Sequence, residues 1–92
     1  MNYYEEIKNE LINNEINKKV KNYLVNRKDL EIRYNVGKLL SEAGKKYGEG
    51  IINEYSKKLT FELGKGYNVT NLKRYRQFYL LIQKGARMGH QL

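Results

Sequence analysis

The sequence predicts an all-α domain of three to four helices, on three observations. There is no proline, so the strongest helix breaker is missing. Apolar residues recur every three to four positions through most of the chain, and no segment alternates with a period of two for long. Clustered glycines, in "AGKKYGEG" and "GKG", punctuate its second half. At 92 residues a single domain is expected, placed at 1–84, with 85–92 read as a linker or a cut end.

Residues 3–12 put Tyr3, Tyr4, Ile7, Leu11 and Ile12 on one helical face, with Asn13-Asn14 placed to break or cap it. Ile16, Val20, Tyr23 and Leu24 continue the stripe. Leu30, Ile32, Tyr34, Val36, Leu39, Leu40 and Ala43 cover more than one face, the pattern of a buried central helix. Either Asn26 caps that helix separately or one bent helix runs from Asn14 to Ala43; the periodicity fits both. Gly44 is placed to end it in a left-handed conformation. Ile51, Ile52, Tyr55, Leu59 and Leu63 form a third face, ended by Gly64. Only about four residues then precede the next helix, a connection short enough for a helix-turn-helix pair, with Gly66 at positive φ.

The fourth helix is the best specified. Asn68 is a suitable N-cap, and Tyr67 and Leu72 stand at the spacing of a hydrophobic staple. At ~100° per residue, Leu72, Tyr75, Phe78, Tyr79 and Ile82 share one arc. Thr70, Lys73, Arg74, Gln77 and Lys84 share the opposite one, with Arg76 and Leu80 on the boundary. The expected core comprises Leu30, Tyr34, Leu40, Ile52, Tyr55, Leu59, Leu72, Tyr75 and Tyr79.

The net charge is +8 and it is unevenly spread. Residues 61–92 hold Lys65, Lys73, Arg74, Arg76, Lys84 and Arg87 against Glu62 alone, an excess of +5, whereas 1–30 and 31–60 carry +1 and +2. A field concentrated in one segment points to an anionic partner there; a solubilising surface is the plain alternative. There is no cysteine, hence no disulfide and no thiolate metal site. No apolar run approaches the ~18 residues of a membrane span, and the N-terminus lacks the order of a signal peptide. A cytoplasmic chain without membrane contact is the expectation.

Catalytic groupings are missing from this reading. His90 is the sole histidine and lies near the end, Ser41 and Ser56 have no basic partner in view, and the carboxylates are scattered among lysines. No metal-ligand spacing occurs, and "GKG" lacks the length of a phosphate-binding loop. No cofactor is expected. By contrast Thr70, Lys73, Arg74 and Gln77 form one row at i, i+3, i+4, i+7, all able to donate to base edges or phosphates. Lys57, Lys58 and Lys65 are candidate phosphate contacts.

"YNVGKLLSEAGKKYGEGIINEYSKKLT" followed by "ELGKGYNVTNLKRYRQFY" resembles the N-terminal domain of YhcG-like proteins, a bacterial family described as PDDEXK-nuclease-domain-containing. The first motif is carried by Tyr34, Val36 and Gly37, the second by Gly48, Ile51, Ile52, Ser56, Lys57 and Leu59. The closing signature falls on Gly66, Tyr67, Asn68, Asn71, Leu72, Tyr75, Arg76, Phe78 and Tyr79. Two positions depart from the pattern: Tyr75 stands where Met is frequent, and Arg33-Tyr34 where a Tyr-Trp pair is common. The resemblance implies a helical, winged-helix-like or helix-turn-helix-like domain that binds DNA, and a nuclease domain absent from this chain, which is then not itself an enzyme. It marks Asn71 and Arg76 as signature positions, with Asn71 nearer the core arc and better suited to a structural role. A protein-interaction or dimerisation module, with a homo-oligomer as partner, stays open beside the DNA reading.

Overall fold

A computed structural model describes residues 2–19 and 25–85. They form four helices, α1 (Tyr3–Lys19), α2 (Val25–Tyr47), α3 (Gly50–Leu63) and α4 (Val69–Gln83). No strand occurs among the described residues, so the fold is all-α and a wing has no counterpart in them. Val20, Tyr23, Leu24 and the 86–92 tail with His90 lie outside the described residues.

α2 is the central helix. It packs on α1, α3 and α4, most extensively on α4. Its buried stripe is Ile32, Val36, Leu39, Leu40 and Ala43, which follows the helical repeat. Ile7 and Leu11 from α1, Ile52 and Leu59 from α3, and Leu72 from α4 close around it, all almost fully buried. Each such side chain contributes about 1.5–3 kcal/mol relative to exposure, so this cluster supplies most of the driving force available to so small a domain. Tyrosines fill the seams: Tyr4 lies against Tyr55 with ring centroids 5.5 Å apart, and Tyr34 meets Tyr79 edge-on at 5.1 Å.

The α2–α4 crossing depends on one missing side chain. A Cβ on Gly37 would overlap the carbonyl oxygen of Tyr75 and stand 2.7 Å from the Cβ of Tyr79. Glycine lets the two backbones approach there.

The structure corrects several expectations. Asn13-Asn14 does not interrupt α1, which runs on to Lys19, and Asn14 is buried. The choice between a separate helix and one bent helix turns on residues 20–24, which lie outside the described residues; Asn26 falls just inside α2. Gly44 does not end α2, which continues to Tyr47; Gly48, at φ 94°, is the residue with positive φ. Leu30 is exposed, because it stands about 200° around the helix from Ile32 and so faces away from the buried stripe. Tyr34 and Tyr75 are half-buried rather than core residues. Leu40, Ile52, Tyr55, Leu59, Leu72 and Tyr79 are buried as expected.

Candidate nucleic-acid interface

The turn between α3 and α4 is built by local rules. Gly64 (φ 99°) and Gly66 (φ 108°) take backbone conformations that disfavour other residues. Asn68 is extended and its Oδ1 accepts from the Asn71 amide at 2.8 Å, an N-cap at the start of α4. Asn71 also donates from Nδ2 to the Gly66 carbonyl at 3.0 Å. Its side chain therefore closes the turn from the helix side. From below, the Ser56 hydroxyl donates to the Tyr67 carbonyl at 2.8 Å, tying the turn to α3. Tyr67 is itself buried, as is Leu72, and its hydroxyl reaches Glu15 Oε2 at 3.3 Å. Burial, with Glu15 nearby, pushes the Tyr67 hydroxyl up to about 12.

A long-range ion pair fixes the other side of α4. Arg76 donates through Nη1 and Nη2 to the two oxygens of Glu49, at 2.7 and 2.9 Å. This fork geometry is the strongest form of such a pair. Glu49 stands at the N-terminus of α3 but makes no side-chain cap there, since Arg76 holds its carboxylate. The hydrogen bond from Arg76 lowers the Glu49 carboxyl from its ordinary value, and Lys73 adds to the effect. Arg76 thus braces α4 against the α2–α3 junction.

With turn and brace in place, Thr70, Lys73, Arg74 and Gln77 are all exposed on one arc of α4. Arg74 and Gln77 line a groove of about 440 Å³ together with Gly66, Asn71, Tyr75, Phe78 and Leu81, and Arg33 of α2 forms part of its lining. Lys73 lies on the Glu49 side of the row. Lys65 is exposed in the turn before α4. Lys57 and Lys58 are exposed elsewhere, along a depression shared with Phe61 and the start of α1, where the Lys58 ammonium lies 5.3 Å over the Tyr4 ring. The structure therefore brings Arg74 and Gln77 together with the turn residues Gly66 and Asn71, and sets Lys57 and Lys58 apart from them.

Arg33, Phe78 and Leu81 are groove residues that the sequence reading did not select for a site. Arg33 carries no local signal, because its place opposite α4 follows from the helix crossing. Leu81 does carry one: it lies within ~20° of Thr70 around the helix, on the wet arc. Among the described residues no cluster of His, Cys, Asp or Glu side chains could hold a metal ion, and no helix is long and apolar enough to cross a membrane.

No curated protein and no solved structure matches the chain. A family model described as the DUF1016 N-terminal domain covers residues 6–92, nearly the whole sequence. The chain with its closing "GYNVTNLKRYRQFY" belongs to the DUF1016 N-terminal domain family, the YhcG-like N-terminal family.

Proposed function

We propose that this domain binds duplex DNA, laying the exposed row of α4 into the major groove, as the targeting module of a PDDEXK-type nuclease. In this reading α3 and α4 act as a helix-turn-helix pair, and the domain itself performs no catalysis. Arg74 and Gln77 read base edges, while Thr70, Lys73 and Lys65 hold the backbone. Lys57 and Lys58 contact phosphates further along the duplex.

The observation that carries the reading is the make-up of α4. It contains no acidic residue, and Lys73 and Arg74 project to solvent from a helix locked on its opposite side by the Gly37 crossing and the Arg76–Glu49 brace. A rigid, acid-free, donor-rich helix face is what groove insertion requires. The test is a binding titration on random duplex against salt. With about five phosphate contacts the log–log slope should be roughly −4 to −5, at about −0.9 per contact. No binding at low salt would refute the reading.

The exposed Leu80 and Leu81 on α4 favour a second one, a protein-interaction or dimerisation surface. Sedimentation of the same samples separates the two: a concentration-dependent dimer that ignores duplex supports the second.

A further inference from the structure

The groove beside the α4 row has walls that duplex recognition leaves unused. Arg33 lies with its guanidinium carbon 6.0 Å from the centroid of Tyr75, and so covers that ring. Phe78, half-buried, and Leu81, 48% exposed, are left as apolar walls, with the Arg74 guanidinium and the Gln77 amide beside them. No carboxylate of the described residues lines the groove. The two that reach Tyr75 electrostatically are both engaged: Asp29 accepts from Arg33 at 3.1 Å, and Glu15 from Tyr67 at 3.3 Å.

An aromatic face, guanidinium groups and a primary amide together form the chemistry that holds a nucleobase by its face and its edge. A base within a duplex offers only its edge, because its faces are stacked. The occupant must then be an unpaired base. Arg74 and Gln77 belong both to the duplex-facing row and to the groove, so a duplex on the row would deliver the base where its strands part. We propose that the groove between α2 and α4 binds an unpaired nucleobase, making this domain a reader of duplex that carries a single-stranded extension. The inference rests on the duplex-binding reading above.

The test compares three probes at one salt concentration: a blunt duplex, the same duplex with a short single-stranded extension, and the extended form with a fluorescent adenine analogue at its first unpaired position. The extension should tighten binding about ten-fold, the effect of one stacked base. The analogue's emission should change on binding. Phe78→Leu should abolish both effects and leave blunt-duplex binding in place. Arg33→Gln, at an exposed position where folding is not at stake, should weaken the preference.

Equal binding of blunt and extended duplex by the native chain would overturn the groove assignment and leave the duplex reading standing. Failure to bind either would remove both. A preference for the extension that survives Phe78→Leu and Arg33→Gln together would overturn the groove as its source.

Discussion

Gly37 and Tyr75 are packed backbone to backbone: the Cα of Gly37 in α2 lies so near the Tyr75 carbonyl of α4 that a Cβ there would stand 2.9 Å from the carbonyl carbon. No rotamer change relieves such an overlap, since the obstructing atoms are main chain. The crossing that carries the α4 row thus depends on the absence of one methyl group.

Gly37→Ala should therefore destabilise the domain by about 1–3 kcal/mol or more, the range of overpacked cores. Gly44→Ala, in the same helix, is the control. Its Cβ would meet nothing nearer than 3.9 Å, so it should stabilise by about 0.5–1 kcal/mol through helix propensity. Urea unfolding of the two variants checks the contrast; equal effects would refute the close crossing.

The turn offers a graded series. Asn68→Ala removes the cap bonded to the Asn71 amide and should cost about 1 kcal/mol. Asn71→Ala removes the bond to the Gly66 carbonyl and should cost about 0.5–1.5 kcal/mol. Gly66→Val places a β-branched residue at φ 108° and should cost more than either, about 1–3 kcal/mol. Thermal melts order the three, and a Gly66→Val melt equal to the parent's would show that the turn relaxes freely.

Replacing Lys73, Arg74 and Gln77 together by Ala should leave the helical circular dichroism spectrum unchanged, because exposed substitutions shift stability by under ~0.5 kcal/mol each. Duplex binding should fall sharply. Singly, Arg74→Ala or Gln77→Ala should relax any site preference, with each base contact worth about 1–3 kcal/mol of discrimination. Lys57→Ala or Lys58→Ala should weaken all sequences alike. Binding-site selection on each variant reads the difference, and a folded triple variant that binds like the parent would exclude α4 as the reader.

Stability should fall at both ends of the pH scale. Glu49 is held below its ordinary value by its hydrogen bond from Arg76, and Glu62 by its bond from the Tyr4 hydroxyl and then by Lys8. A depressed carboxyl lends stability above its unfolded value of ~4.3 and loses it as the pH drops through the folded one. Tyr67 behaves oppositely, because burial raises it to about 12. Its contribution is full below ~10 and disappears as the pH climbs from there through about 12. Urea midpoints against pH should show a plateau with two falling limbs. Tyr67→Phe should make the alkaline limb shallower and Arg76→Gln the acid limb.

What the sequence by itself determined here is local. The helical repeat, the Asn68 cap, the glycines flanking Lys65 and the arc shared by Thr70, Lys73, Arg74 and Gln77 each follow from forces acting within about one turn of chain, and each occupies its expected place. The charge excess of residues 61–92 is likewise a property of the sequence alone. Tertiary structure decided the rest. Leu30 turned outward because the seam selected one stripe of an α2 that was apolar on more than one side. Gly44, placed by sequence to end α2, stays helical beside the Arg76–Glu49 pair, and that pair joins residues far apart in sequence. Arg33 and Phe78 came to share a groove only because Gly37 lets α4 lie against α2. Such relations depend on the contact of distant surfaces, and backbone periodicity carries no record of which surfaces will meet.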